Sequence, residues 1–299
     1  MRFLTAVGAI VVSFAAARVN AAAEQQLKIA GLSVATWSSD AAKNAQPVIV
    51  FSHGLHGCAT QSRFLMEAFA SAGYLVFAPN HRDAACGDRG SRGRSTGAVS
   101  TPLGRPSQWT SATYRDRADD ITRLVETLRG DERFRTRANW ARLGLAGHSL
   151  GGYTVLGLGG AWPDWKLAGV KAILALSPYA QPFETQHTLA AVSAPVMYQG
   201  GTRDLGVTPW VSKPQGAYDQ SPAPKYFVEF DKAGHAAWTN LTSTAHDGIV
   251  AYSLAFMNHY VKGQAPDPVL THARAGVTAL RYASELGLSG ARTTTARRR

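Results

Sequence analysis

Arg142-Leu-Gly-Leu-Ala-Gly-His-Ser-Leu-Gly-Gly152 changes character at its centre. Arg142 to Ala146 reads as a short apolar strand, and Gly152-Tyr-Thr-Val-Leu-Gly-Leu158 as the start of a helix. Between them, Gly147-His148-Ser149-Leu150-Gly151 predicts a tight turn with Ser149 at its apex. A sharp turn lifts a hydroxyl clear of the backbone at a cost in φ/ψ strain. Small residues on both sides let strand and helix approach closely enough. The bare G-x-S-x-G spacing is weak on its own; the strand–turn–helix setting makes it specific. A plain N-cap serine is the alternative, but a cap does not need four glycines nearby.

Working outward, Pro47-Val-Ile-Val-Phe-Ser52 and Tyr74-Leu-Val-Phe-Ala78 are continuous apolar runs, as expected of strands buried on both faces. Thr60 to Ala72 lies between them with Phe64, Leu65, Ala68 and Phe69 on one helical face, and Gly73 ends it. This β, α, β order favours a parallel sheet with right-handed crossovers. Further strands are expected at Val170–Leu176, Pro195–Tyr198 and Lys225–Phe230, and a small antiparallel start at Leu27 to Trp37. Helices are expected at Tyr114 to Arg129, at Thr239 to Tyr260 and, weakly, at Val277 to Leu286. The fold class is therefore α/β, a mostly parallel central sheet with helices on both faces. Residues 82–111, rich in Gly, Arg, Ser and Thr, lack a period and exceed a normal connection, so they read as a functional loop or partial lid.

The chain has 299 residues and a formal net charge of +11. Met1-Arg2, the apolar Phe3 to Ala17 and Ala21-Ala22-Ala23 read as a secretory signal peptide over residues 1–23. The apolar run falls below the ~18 residues that a span needs, and no later run is longer. A secreted or periplasmic protein without stable membrane insertion is expected. Residues 24–288 then form a single α/β domain, and residues 289–299 a disordered basic tail. No stretch interleaves basic and aromatic residues as nucleic-acid binders do, so nucleic acid is not an expected partner.

In open α/β sheets, sites form beyond the carboxyl ends of strands. The reactive residues there are His53-Gly54-Leu55-His56-Gly57, then His81-Arg82-Asp83, Ser149, Gly200-Gly-Thr-Arg-Asp204, and Asp231 with His235. A nucleophilic serine needs a base for its proton and an acid to hold that base. Ser149, His235 and Asp204 fit those roles, each beyond a different strand. Asp231 and Asp219 compete for the acid, and His246 and His259 for the base. The oxyanion needs N–H donors. Leu150 at the helix start is one, and the loop after the first buried strand supplies the other, Leu55 ahead of His56.

These pieces resemble the α/β-hydrolases. Val-Phe-Ser-His-Gly-Leu (Val50 to Leu55), Ala-Pro-Asn-His-Arg-Asp (Ala78 to Asp83), Arg142 to Gly152 and Ala233-Gly-His235 carry the likeness. They are similar to the branch of dienelactone-hydrolase-like, platelet-activating-factor acetylhydrolase-like and polyester-hydrolase-like enzymes. The order Ser, Asp, His along the chain is that of the superfamily. The resemblance implies ester hydrolysis without metal or organic cofactor, and supports Leu55 as an oxyanion donor. The chain departs from the branch in its Arg-rich 82–111 loop, and in lacking the cysteine that true dienelactone hydrolases carry in place of Ser149.

Cys58 and Cys86 follow neighbouring strands past the same sheet edge, which predicts a disulfide between them. Closing that loop of about 28 residues is worth ~3–4 kcal/mol in the chain-entropy model. Trp238, His56 and Tyr179 are candidates for substrate contact, with Trp109 a further one in the long loop. The expected function is a secreted serine esterase acting on a small-molecule or polymeric ester through an acyl-serine. An amidase or peptidase on the same triad is the near alternative. A non-catalytic ligand- or partner-binding relative is the distant one.

Overall fold

The computed structural model describes residues 23–39, 44–85, 103–284 and 289–293. The chain opens with a hairpin of β1 (Ala23–Ile29) and β2 (Leu32–Ser38). Its two turn residues, Ala30 and Gly31, both have positive φ (53° and 79°), the twist that suits a two-residue hairpin. Then come β3 (Gln46–Ser52), α1 (Arg63–Ser71), β4 (Leu75–Pro79), α2 (Arg115–Gly130), α3 (Glu132–Arg135), β5 (Ala138–His148) and α4 (Leu150–Leu156). After these follow β6 (Val170–Leu176), α5 (Gln181–Gln186), β7 (Val196–Gly201), α6 (Thr208–Ser212), α7 (Ala217–Gln220), β8 (Lys225–Phe230), α8 (His246–Tyr260), β9 (Val277–Ala283) and β10 (Ser289–Thr293).

The strands form one sheet in the order β1-β2-β4-β3-β5-β6-β7-β8-β9-β10. β4, β3, β5, β6, β7 and β8 run parallel, with antiparallel strands added at both edges. Alternate side chains of the apolar runs feed two cores. Val48, Val50, Leu75, Phe77, Leu143 and Leu145 join α2 and α4 on one face. Ile49, Phe51, Val76, Leu174 and Val228 meet α1 and α8 on the other. A strand buried on both faces has no polar side to show, which is why these segments are apolar at every position. After β3 the chain moves to one side to make β4 and returns to the other side as β5. The sheet order therefore reverses at the β3/β5 boundary, where a crevice opens beyond the strand ends.

Three sequence expectations need correction. Val277 to Leu286 is not a weak helix: Val277–Ala283 is a strand paired antiparallel with β8. The exposed edge of β8 offers unpaired backbone groups, and pairing there overrides a marginal local pattern. Residues 289–293, expected in a disordered tail, pair with β9 as β10, while 294–299 lie outside the described residues. The expected helix from Thr239 begins only at His246. The Thr239 hydroxyl accepts from Leu241 N–H (3.2 Å) and the Thr242 hydroxyl from Thr244 N–H (3.2 Å). Such local bonds hold backbone donors away from helix formation. Of the expected signal peptide, residues 1–22 lie outside the described residues, as do residues 86–102 of the expected lid, Cys86 among them.

Candidate active site

Ser149 stands between β5 and α4 at φ 56°, ψ −117°. A non-glycine residue there carries strain of about 1–3 kcal/mol, which the surroundings must hold. Ser149 N–H donates to Leu176 O at 3.0 Å, and its carbonyl accepts from Tyr153 N–H (3.2 Å) and Tyr179 N–H (3.0 Å). The glycines are needed for clearance. A Cβ on Gly147 would lie 2.2 Å from Gly151 O, and one on Gly151 would lie 1.9 Å from Ser52 O.

His235 follows β8 in a short 3-10 turn, with its imidazole exposed. Its Nε2 is 2.9 Å from Ser149 Oγ and its Nδ1 is 3.2 Å from Asp204 Oδ1. Asp204, beyond β7, is buried at 3% exposure. Ser149, His235 and Asp204 are thus brought together in hydrogen-bonding sequence. Among the competitors, Asp219 pairs with Arg281, and Asp231 pairs with Lys232 at 3.7 Å. His246 stacks on Phe64 at 3.5 Å, and His259 sits 2.7 Å from Gln264 O.

Ser177, which sequence reasoning missed, stands directly beyond β6 at φ 42°. Its hydroxyl donates to Asp204 Oδ2 and lies 2.8 Å from His235 Nδ1. It therefore accepts part of the imidazole N–H while fixing the carboxylate. The Thr208 hydroxyl reaches the same carboxylate oxygen at 3.3 Å. The strand-end rule that singled out Asp204 and His235 applies equally to Ser177; only the chemical plainness of serine hid it.

The loop after β3 approaches so closely that a Cβ on Gly54 would sit 3.3 Å from Ser149 Cβ. Its backbone is tied almost everywhere. Gly54 N–H donates to Gln61 Oε1 (3.1 Å), His56 N–H to Asp83 Oδ2 (3.2 Å) and Gly57 N–H to Gly54 O (2.9 Å). Gly54 O also accepts from His53 Nδ1–H at 2.8 Å and faces Arg117 Nη2 at 3.4 Å. A trans peptide points its N–H opposite to its C=O, so pinning Gly54 O inward turns Leu55 N–H outward. Among the described residues, Leu55 is the member of 54–57 whose N–H has no acceptor in the protein. Leu150 opens α4, and a first-turn N–H has no intrahelical acceptor.

Arg117 of α2 clamps this loop from beneath. It is fully buried, donates from Nη2 to His53 O (2.8 Å) and from Nε to Asp83 Oδ1 (3.1 Å). Burial raises the Asp83 carboxyl, but the Arg117 guanidinium, with the His56 N–H bond, outweighs it and leaves it below its ordinary value. His53 Nε2 accepts from His81 N–H at 3.0 Å. Burial, with Arg117 adding to it, holds both imidazoles well below the usual histidine range, so each is neutral.

The remaining candidates separate. His56 lines the cleft over Ser149, together with Leu55, Thr60, Gln61, Ala236, Thr239, Asn240 and Leu241; its volume is ≈ 530 Å³. Trp238 does not line it: it is completely buried, donates to Gln199 Oε1 (2.9 Å) and packs behind His148. Tyr179 is buried too, its hydroxyl donating to Leu103 O and its ring against Trp109 at 4.9 Å. Trp109 itself is core, edge-on to Tyr153. Large aromatics beyond strand ends looked like pocket walls in the sequence; here they wedge the loops in place. No free cysteine is found among the described residues, which include Cys58 and not Cys86. Among the described residues no group of three or more His, Cys, Asp and Glu is placed to hold a metal ion. The arrangement can deprotonate a hydroxyl and offer two N–H groups to an oxyanion.

Residues 43–201 match the family model described as serine aminopeptidase, S33. The matched span carries Ser149 and the loop after β3, while Asp204 and, farther on, His235 lie outside it. No curated protein matches the chain.

Proposed function

The chain belongs to the S33 serine aminopeptidase family and is a serine hydrolase of the α/β-hydrolase superfamily, and on that footing we propose that it cleaves uncharged carboxylic esters outside the cytoplasm. His235 Nε2 takes the proton of Ser149 Oγ as that oxygen attacks the ester carbonyl. The oxyanion sits against Leu55 N–H and Leu150 N–H. His235 then gives the proton to the departing alkoxide, and the acyl-serine is hydrolysed by a water that His235 deprotonates in turn. Asp204, assisted by Ser177, keeps the Nδ1–H side of the ring turned away from Ser149.

The observation that carries the ester reading is that, among the described residues, no carboxylate lines the cleft. An aminopeptidase must hold a protonated α-amino group, and a buried or half-buried cation needs an anionic partner. Among the described residues the nearby carboxylates are engaged, Asp83 with Arg117 and His56 N–H, and Asp204 with His235 and Ser177. Leu55, Ala236 and Leu241 instead present apolar surface to an acyl or alkoxy group. The finer kinship, with the dienelactone-, acetyl- and polyester-hydrolase-like branch, rests on the motifs around His53, Asp83, Ser149 and His235.

Export rests on the leader at residues 1–23, ahead of a single domain from residue 24. A Cys58–Cys86 disulfide belongs to the same reading, and intact-protein mass with and without reductant tests it. A fluorophosphonate probe tests the chemistry: it should label the protein and fail to label Ser149→Ala. p-Nitrophenyl esters of graded chain length, run beside amino-acid p-nitroanilides with free amines, test the substrate class. Faster turnover of the free-amine amides would overturn the ester reading and favour a peptidase. A folded protein that no probe labels would favour a binding relative.

A further inference from the structure

We propose that Gln61 is a positioning residue whose carboxamide, working through His148, straps the loop that bears the oxyanion donor to the segment that bears the base. The inference rests on the hydrolase reading above and concerns how that site is held.

Gln61 precedes α1 and stands half-buried in the cleft wall. Its Oε1 accepts from Gly54 N–H at 3.1 Å, and its Nε2 donates to His148 Nδ1 at 3.0 Å. His148 Nε2–H then donates to the carbonyl of His235 at 2.9 Å. The Gln61 backbone makes a parallel tie, its carbonyl accepting from Asn240 N–H at 2.8 Å. Three segments far apart in sequence, residues 54–57, the turn at 148–149 and residues 235–240, thus meet on one side chain and its imidazole partner.

The chain of bonds has a direction. Burial pushes His148 down to about 3, so the ring is neutral at any pH of interest. A neutral imidazole that donates from Nε2 has a lone pair on Nδ1, and that lone pair fits only a donor. The carboxamide nitrogen must therefore face His148, which leaves its oxygen for Gly54. Turning the amide over would set N–H against N–H at Gly54 and oxygen against a lone pair at His148. Neither end can reverse alone. Gly54 N–H belongs to the peptide before Gly54, and Gly54 C=O, pinned by His53 and Gly57, to the peptide after it. With both peptides fixed, the direction of Leu55 N–H relative to Ser149 is fixed as well. The same strap holds the main chain of His235.

The test uses the full-length protein with Gln61→Met, His148→Phe and the double variant. Each single change removes the bridge and keeps much of the volume. Each should slow fluorophosphonate acylation and lower kcat about tenfold, the effect of roughly one lost hydrogen bond, with little change in KM. Because the two residues act as one strap, the double variant should be no slower than the worse single one. Additive losses, or Gln61→Met labelling at the wild-type rate, overturn the proposal while the hydrolase reading stands. A wild-type protein that does not label takes both down. Independently of any variant, ¹⁵N NMR of the wild-type protein should show His148 protonated at Nε2 and bare at Nδ1 between pH 5 and 8. The opposite tautomer, or an imidazolium, overturns the strap even where the variants do not fold.

Discussion

At the scale of single residues, the site depends on groups with little chemistry of their own. Ser177 takes the imidazole N–H at 2.8 Å, closer than the Asp204 carboxylate at 3.2 Å. Removing its hydroxyl should loosen the base without touching the cleft. Ser177→Gly suits the positive φ, so it folds without added strain. We expect kcat to fall about tenfold with KM nearly unchanged, measured on a short-chain p-nitrophenyl ester. An unchanged kcat would show that Asp204 alone orients His235. Gly151 tests the turn. In Gly151→Ala the new Cβ meets Ser52 O at 1.9 Å, and backbone cannot swing aside as a side chain does. We expect a loss of about 3 kcal/mol, read as a lowered thermal midpoint, together with lost probe labelling.

At the scale of elements, α2 does more than cover the sheet. Ile121, Leu124, Val125 and Leu128 join the core, while Arg117, one turn earlier, is buried beneath the loop after β3. The guanidinium was not legible as a site residue, because an arginine in a helix reads as solvent-facing until its burial is known. Arg117→Met keeps the bulk but leaves the Asp83 carboxylate without its cation. Breaking one side of a buried pair typically costs about 3–5 kcal/mol. A urea midpoint unchanged in Arg117→Met would remove the clamp from the account. The segment after β8 shows the converse. Its threonine hydroxyls hold residues 239–245 out of the helix, and Thr239, Asn240 and Leu241 are thereby left to line the cleft.

At the scale of the whole molecule, three imidazoles make stability depend on pH. His53, His81 and His148 are held neutral by burial, whereas in the unfolded chain each takes a proton as pH falls through 6.5. The unfolded state therefore binds more protons below that value, and stability falls as pH drops. Asp120, pushed up to about 6 by burial, works the other way, since the folded state takes its proton first. Burial raises the Asp116 and Glu184 carboxyls in the same sense, so the carboxyls temper the loss, and the three imidazoles set its sign: stability falls as pH drops from 7.5 to 5. Urea midpoints at pH 7.5, 6.0 and 5.0 check this; a flat series would mean that these rings are not neutral in the folded protein.

What the sequence determined by itself is what local chemistry imposes. Apolar runs without a polar face announced the buried strands, and glycines around one serine announced a turn too tight for other residues. The strand ends then placed Asp204 and His235 as partners for Ser149 before any distance was known. The tertiary structure decided what depends on neighbours distant in sequence: that β9 and β10 complete an open edge, and that Trp238 and Tyr179 wedge loops instead of lining the cleft. It also decided that Ser177, Gln61, His148 and Arg117 hold the site together. Their roles arise from burial and from which lone pair meets which N–H, and neither is a property of a residue until the fold has chosen its surroundings.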